Sequence, residues 1–290
     1  MSLSASHAYD AASSSVIDDH HFGDQYFNRS FLWIDFVMVL RESRILFCTI
    51  AKNGMTVATR LAGKAERLKR QAQFFQFAPQ WTGMRYAAFL DALRHDRSWR
   101  KVVVYRDPME RFLSAFHSKC QLRDFDGRKH CHQVFGLNDT EVSLLSVARR
   151  LKRFGHTNPH WAPQSRFCGN TVGPKWSHYT DHIPFHRFFS VVDLLAEHLS
   201  PLEGLELHQE FNRSKRVRRP GDGYKGVGSG ARHVTNAAGT LRQELNPEVG
   251  WLLFDYYTED YRLFHSNFLY ELLGNSTATA EVTSGALTRR

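Results

Sequence analysis

The stretch "RILFCTIAKNGMTVATRLAGKAERLKRQ", residues 44–71, decides the fold class. Its first seven residues have an apolar, β-branched and aromatic centre, as in a short strand buried on both faces. The run ends in Ala51-Lys52-Asn53-Gly54-Met55-Thr56. Val57, Leu61, Ala65 and Leu68 then recur at helical spacing, with basic residues between them. "RKVVVYR" (100–106) repeats the strand half of this unit and "DPMERFLSAFHSKC" (107–120) the helix half. There Asp107 takes the N-cap, Pro108 N1 and Glu110 N3, while Phe112 and Phe116 mark the buried face. Two such strand–turn–helix units predict an α/β fold, a single domain with a central parallel sheet flanked by helices.

Further along, "TEVSLLSVARRLKRFG" (140–155) predicts a helix with Gly155 as its C′ residue. "RFFSVVDLLAEHL" (187–199) predicts a strand running into a helix, and a last helix starts near Asn246-Pro247. Between them, "NRSKRVRRPGDGYKGVGSGARHVTN" (212–236) is a Gly-rich basic loop. Polar termini predict mobile tails at 1–25 and 273–290 around a domain at 26–272. "FLWIDFVMVL" (31–40) falls short of the roughly 20 apolar residues that span a bilayer, and the N-terminus does not have the pattern of a secretory signal. A soluble protein is expected.

Lys and Arg outnumber Asp and Glu by 38 to 29, giving a formal charge of +9 over 290 residues. An anionic partner follows: nucleic acid, an acidic membrane surface, a phosphorylated cofactor or an acidic glycan. Cys48, Cys120, Cys131 and Cys168 are too few and too scattered for a disulfide framework, so reduced thiols are expected, with Cys48 a small core hydrophobe.

A turn between a buried strand and a helix N-terminus offers backbone N–H groups at the positive end of a helix dipole, where phosphate and sulfate bind. Gly54 allows close approach, Thr56 adds a hydroxyl, and Lys52 supplies a point charge. A plain βα connection with a solvated lysine fits this stretch equally well, and the spacing is not that of G-x-x-x-x-G-K-[ST]. The second unit adds Arg106 at the carboxyl end of a strand and Ser114 two turns into the helix, a pair suited to clamping a second phosphate.

Here the sequence resembles a family. "IAKNGMT" is similar to the 5′-phosphosulfate loop of sulfotransferases that use 3′-phosphoadenosine-5′-phosphosulfate (PAPS). "YRDPMERFLSAFHSK" resembles their 3′-phosphate motif in the carbohydrate branch that includes the chondroitin and dermatan enzymes (sulfotransferase family 2). "NPHWAPQSRFC" (158–168) and "YYTEDYRLF" (256–264) match two further segments of that branch in order, so the likeness covers roughly 44–268. One departure is Ala51-Lys52 where the family usually has Pro-Lys. The resemblance implies a P-loop-like sulfotransferase fold and PAPS as donor. It also implies a 5′-phosphosulfate loop of Lys52, Asn53, Gly54, Met55 and Thr56, with Arg106 and Ser114 as 3′-phosphate ligands. The Gly-rich loop would contribute Arg232, with Lys225 and His233 next.

Sulfuryl transfer needs an in-line hydroxyl, a base, and stabilisation of charge on the departing phosphate. Lys52 and the loop amides suit the last task, and no metal is expected. Of sixteen histidines, His160 in "HWAPQ" is the first choice as base and His95 the second; each also reads as a structural or surface residue. Glu66 and Glu110 are poorer candidates. Cys120, His130, Cys131 and His132 do not have zinc-ligand spacing. The expected acceptor is a sugar or small hydroxylated molecule, with Trp81, Trp161, Arg166 and Trp176 as cleft candidates. No nucleic acid is expected. The expected compartment is the cytoplasm, as for a bacterial-type soluble enzyme, ahead of a Golgi-lumenal fragment. The alternatives are a nucleotide-dependent kinase and a non-catalytic basic module that binds nucleic acid or acidic glycan.

Overall fold

A computed structural model describes residues 36–68, 82–121, 131–168, 176–215 and 245–264, all within one unit spanning 32–290. Four strands form a sheet in the order β1 (Val37–Leu40), β2 (Ile45–Cys48), β3 (Arg100–Tyr105) and β4 (Asp181–Pro184). β2, β3 and β4 are parallel, with Cys48 opposite Val103 and Val103 opposite His182. β1 is antiparallel to β2, so the expected parallel sheet is mixed at one edge. Four residues join β1 to β2, a link too short for the crossover that a parallel pair requires.

The principal helices are α1 (Met55–Ala65), α2 (Tyr86–Arg94), α3 (Pro108–Phe116), α4 (Leu144–Phe154), α5 (Phe189–Ala196), α6 (Pro201–Lys215), α7 (Pro247–Tyr256) and α8 (Thr258–Phe264). Alternate strand residues Met38, Leu40, Ile45, Phe47, Val102, Val104 and Ile183 pack against α1, α5 and α6. A second apolar cluster joins α3, α4 and α7 around Trp161, through Phe112, Phe135, Leu151, Leu253 and Tyr257. β1, β2 and β3 therefore carry near-continuous apolar runs, buried on both sides of the sheet.

Local expectations hold at α3, where Asp107 Oδ1 accepts the N–H groups of Met109 and Glu110 at 2.9 and 3.0 Å. They hold also at α7, capped by Asn246 with Pro247 following. Three others change. Gly155 has φ −62° and leads into a 3₁₀ turn instead of a left-handed stop. A Cβ there would lie 2.7 Å from the Tyr256 hydroxyl, so close packing explains the glycine. The strand expected within 187–199 lies earlier, at β4, and Phe185–Arg187 is a 3₁₀ turn before α5. Only Ile183 of β4 is buried, so its sequence gives little apolar signal; the Arg100–Asp181 ion pair at 3.0 Å ties it to β3. The basic stretch expected as a loop begins as the end of α6, and its remainder from 216, like both tails, lies outside the described residues.

The cysteine expectation is overturned. Cys48 is bonded to Cys168 and Cys120 to Cys131, so no free thiol remains. Cys48 and Cys168 are 120 positions apart, and only the fold brings the end of β2 against the segment that follows Gln164. Because Cys120 and Cys131 form a disulfide, their thiolates are not available to a metal, and among the described residues no three His, Cys, Asp or Glu side chains group as metal ligands. Likewise, no described helix is long and apolar enough to cross a membrane.

Closing a longer loop removes more entropy from the unfolded chain. Paired alanine substitution of Cys48 and Cys168 is expected to cost about 2–4 kcal/mol in urea unfolding, more than the same change at Cys120 and Cys131. Equal or reversed costs would count against the long-range pairing as the stronger staple.

Candidate active site

β2 and β3 are neighbours, so the turns leaving their carboxyl ends start side by side, about 5 Å apart. In the first turn Lys52 and Gly54 both adopt left-handed backbone, with φ of 74° and 81°. Glycine is required at position 54 twice over. The conformation disfavours a side chain, and a Cβ would sit 2.9 Å from the Phe188 ring. α1 then starts with no side-chain cap and no acidic residue in its first turn. Its N-terminal N–H groups are left for an external anion.

The second turn meets the first directly. The Arg106 guanidinium donates to the Lys52 carbonyl at 3.2 Å, pairs with Glu110 at 3.3 Å and lies over the Phe185 ring at 4.7 Å. The Lys52 amine donates to Ser118 Oγ, on the π-helical continuation of α3. Arg106 precedes α3, and Glu110, Ser114 and Ser118 follow at intervals of four along α3 and its π-helical continuation, one stripe of side chains. Lys52 therefore touches both ends of this stripe, with buried Ser114 between them. Burial, and then the positive charges of Lys119, Arg106 and Arg111, hold the Lys52 amine well below the ordinary lysine range. Such a concentration of cations favours an anion.

Three residues that the motif comparison left without roles hold this geometry. Arg111, fully buried, donates to the carbonyls of Ala51 (2.9 Å), Ala162 (2.8 Å) and Pro159 (2.8 Å). Gln164 Oε1 accepts from Asn53 Nδ2 at 2.6 Å and from the Arg106 backbone N–H at 3.0 Å, while its Nε2 donates to the Arg106 carbonyl at 2.8 Å. Asp260, in α8, accepts the backbone N–H groups of Gln164 and Ser165, both at 2.8 Å. Ser118 is the fourth contributor that sequence reading passed over. Its spacing of four from Ser114 was the available signal.

The expected site residues divide accordingly. Lys52, Gly54 and Met55 lie in one turn that Arg106 meets through the Lys52 carbonyl, Ser114 is buried within α3, and Thr56 is exposed at the second position of α1. Asn53 faces inward instead: its backbone N–H donates to Ile50 and its Nδ2 to Val104 and Gln164, so its donors are spent inside the protein. His160 is half-buried and follows Pro159, whose carbonyl shares the Arg111 guanidinium with that of Ala51. Its segment therefore borders the Lys52 turn.

His95 is exposed, bonds Asp91 at 3.0 Å and precedes β3, at the far end of that six-residue strand from Arg106, roughly 20 Å away. Glu66 is occupied by Ser43 and the Glu42 backbone at the other end of α1. Glu110 serves Arg106. Trp161 and Trp176 are core residues, 0% and 4% exposed, and do not line a cleft; large rings bury wherever packing permits. Trp81, Lys225, Arg232 and His233 lie outside the described residues.

Residues 35–268 match the model of one protein family, described as "Sulfotransferase family". The chain belongs to that family, and the matched span contains both turns, Gln164 and Asp260. No curated protein and no solved structure matches it.

Replacing Arg111 with Met would strand three carbonyls, two of them fully buried, at an expected cost of about 3 kcal/mol or more. Urea unfolding checks this, and a loss within about 1 kcal/mol would deny Arg111 its bracing role. Burial pushes the Asp107 carboxyl up to about 6. The folded chain thus keeps this proton where the unfolded chain has lost it. Stability from this group is full below about pH 4 and falls as pH rises toward 6. Asp107→Asn keeps the capping oxygen without the titration, so its melting temperature relative to the native protein should climb between acidic and neutral pH. A flat difference would contradict the buried titration.

Proposed function

We propose that this chain moves a sulfuryl group from PAPS to a hydroxyl of a carbohydrate, as a chondroitin/dermatan-type member of the family with the P-loop-like sulfotransferase fold. One observation carries the reading: the guanidinium of Arg106 touches the carbonyl of Lys52, so the 5′-loop candidate and the 3′-phosphate candidate lie within reach of one adenosine nucleotide. The uncapped start of α1 and the cation cluster around Lys52 fit a ligand with two anionic ends.

When bound, the donor supplies the sulfuryl group and a leaving phosphate. Lys52 and the N–H groups of Gly54, Met55 and Thr56 would hold its 5′ end and offset the charge gathering on the departing oxygen. Arg106 and Ser114 would hold the 3′-phosphate, with Arg232 of the Gly-rich stretch as a further ligand. His160 would take the acceptor proton, since its segment shares Arg111 with the Lys52 turn. Asn53 contributes by keeping the turn in shape. The paired cysteines suit an oxidising compartment better than a reducing cytoplasm, and we assign the chain there.

A ligand that binds only the folded state raises its melting temperature. Adenosine 3′,5′-bisphosphate should do so strongly and ATP weakly, and Lys52→Ala should abolish transfer to a chondroitin or dermatan acceptor while the protein still melts cooperatively. Stabilisation by ATP with magnesium alone would point to a kinase. Binding of nucleic acid or acidic glycan, steeply salt-dependent and indifferent to Lys52→Ala, would point to a non-catalytic module.

A further inference from the structure

Two phosphate sites on two separate turns do not by themselves make a tight site for a two-ended ligand. Each turn can hold its own anion independently. The advantage of binding both ends together depends on their separation being fixed, because a variable span lowers the effective concentration of the second end. Some group must therefore tie one turn to the other.

Gln164 has the required connections. It is fully buried, and its single carboxamide bonds Asn53 of the first turn and both the N–H and the carbonyl of Arg106 in the second. It thus meets the Arg106 backbone as a neighbouring strand would, while Asn53 also donates to Val104 at 3.0 Å. The carboxamide is held in turn by Asp260, which accepts the Gln164 backbone N–H at 2.8 Å and lies 3.5 Å from its Nε2. No other common side chain fits. Ionised glutamate cannot donate, methionine can do neither task well, and asparagine is one methylene short. Arg111 fixes the first turn to residues 159–162 but bonds only the carbonyls of Ala51, Pro159 and Ala162, so it does not set the spacing to Arg106.

We propose that Gln164 is a positioning residue that sets the distance between the two phosphate sites, giving the chain its preference for a nucleotide phosphorylated at both ends. The proposal rests on the nucleotide reading above. Gln164 touches neither phosphate in this scheme; it acts through Asn53 and Arg106.

The test compares calorimetric affinities for adenosine 3′,5′-bisphosphate, adenosine 3′-monophosphate and adenosine 5′-monophosphate. The proteins are the native chain, Gln164→Glu and Asn53→Ser, which cuts only the first-turn side of the bridge; variants with a cooperative melt carry the comparison. The expected result is a fall of about tenfold or more in the ratio of bisphosphate to monophosphate affinity, with the monophosphates little changed. A folded variant that keeps the native ratio would overturn the proposal. So would an equal loss for all three ligands, which is what general destabilisation gives. If the native chain itself shows no preference for the bisphosphate, the nucleotide reading fails first and this inference with it.

Discussion

The fold of the site turns on one buried guanidinium. Arg111 leaves water entirely, a step that is costly for a charge unless every donor finds an acceptor. Its acceptors are three main-chain carbonyls, from Ala51 and from Pro159 and Ala162. The Phe167 ring lies 5.7 Å away, and Asp260 supplies a compensating negative charge from α8. Segments more than a hundred positions apart are thereby held against one planar group. A guanidinium suits this task because its donors point in fixed directions, which a flexible ammonium cannot offer.

Around that brace the charge distribution is lopsided. Lys52, Lys119, Arg106 and Arg111 all act on the same small volume, whereas Glu110 is the acid that pairs with Arg106. The consequence is visible in the direction of the shifts. Burial depresses Arg106 and Arg111, and burial with cationic neighbours depresses Lys52. An arriving dianion would relieve this repulsion, so the charge arrangement already present favours such a ligand.

Much of this was legible in the chain because it is local. The Lys52–Gly54 turn, the Asp107 cap and the Asn246-Pro247 start each depend on a few consecutive residues, and sequence carries such signals well. Pairings set by the sheet were not legible. Cys48 looks like any small core residue until Cys168 is placed beside it, and Asn53 looks solvent-facing until Val104 and Gln164 claim its donors. Trp161 and Trp176 suggested a sugar cleft by residue type alone, but packing put both in the interior. β4 was hidden because an ion pair and one isoleucine hold it, leaving no apolar run to detect.

The placement of Asp260 has a consequence for biosynthesis. Both turns precede α3, yet the carboxylate that steadies Gln164 is Asp260, made after every strand of the sheet. A nascent chain can therefore carry both turns before Gln164 is braced. The bracing of the two turns is therefore complete only after α8 has been made.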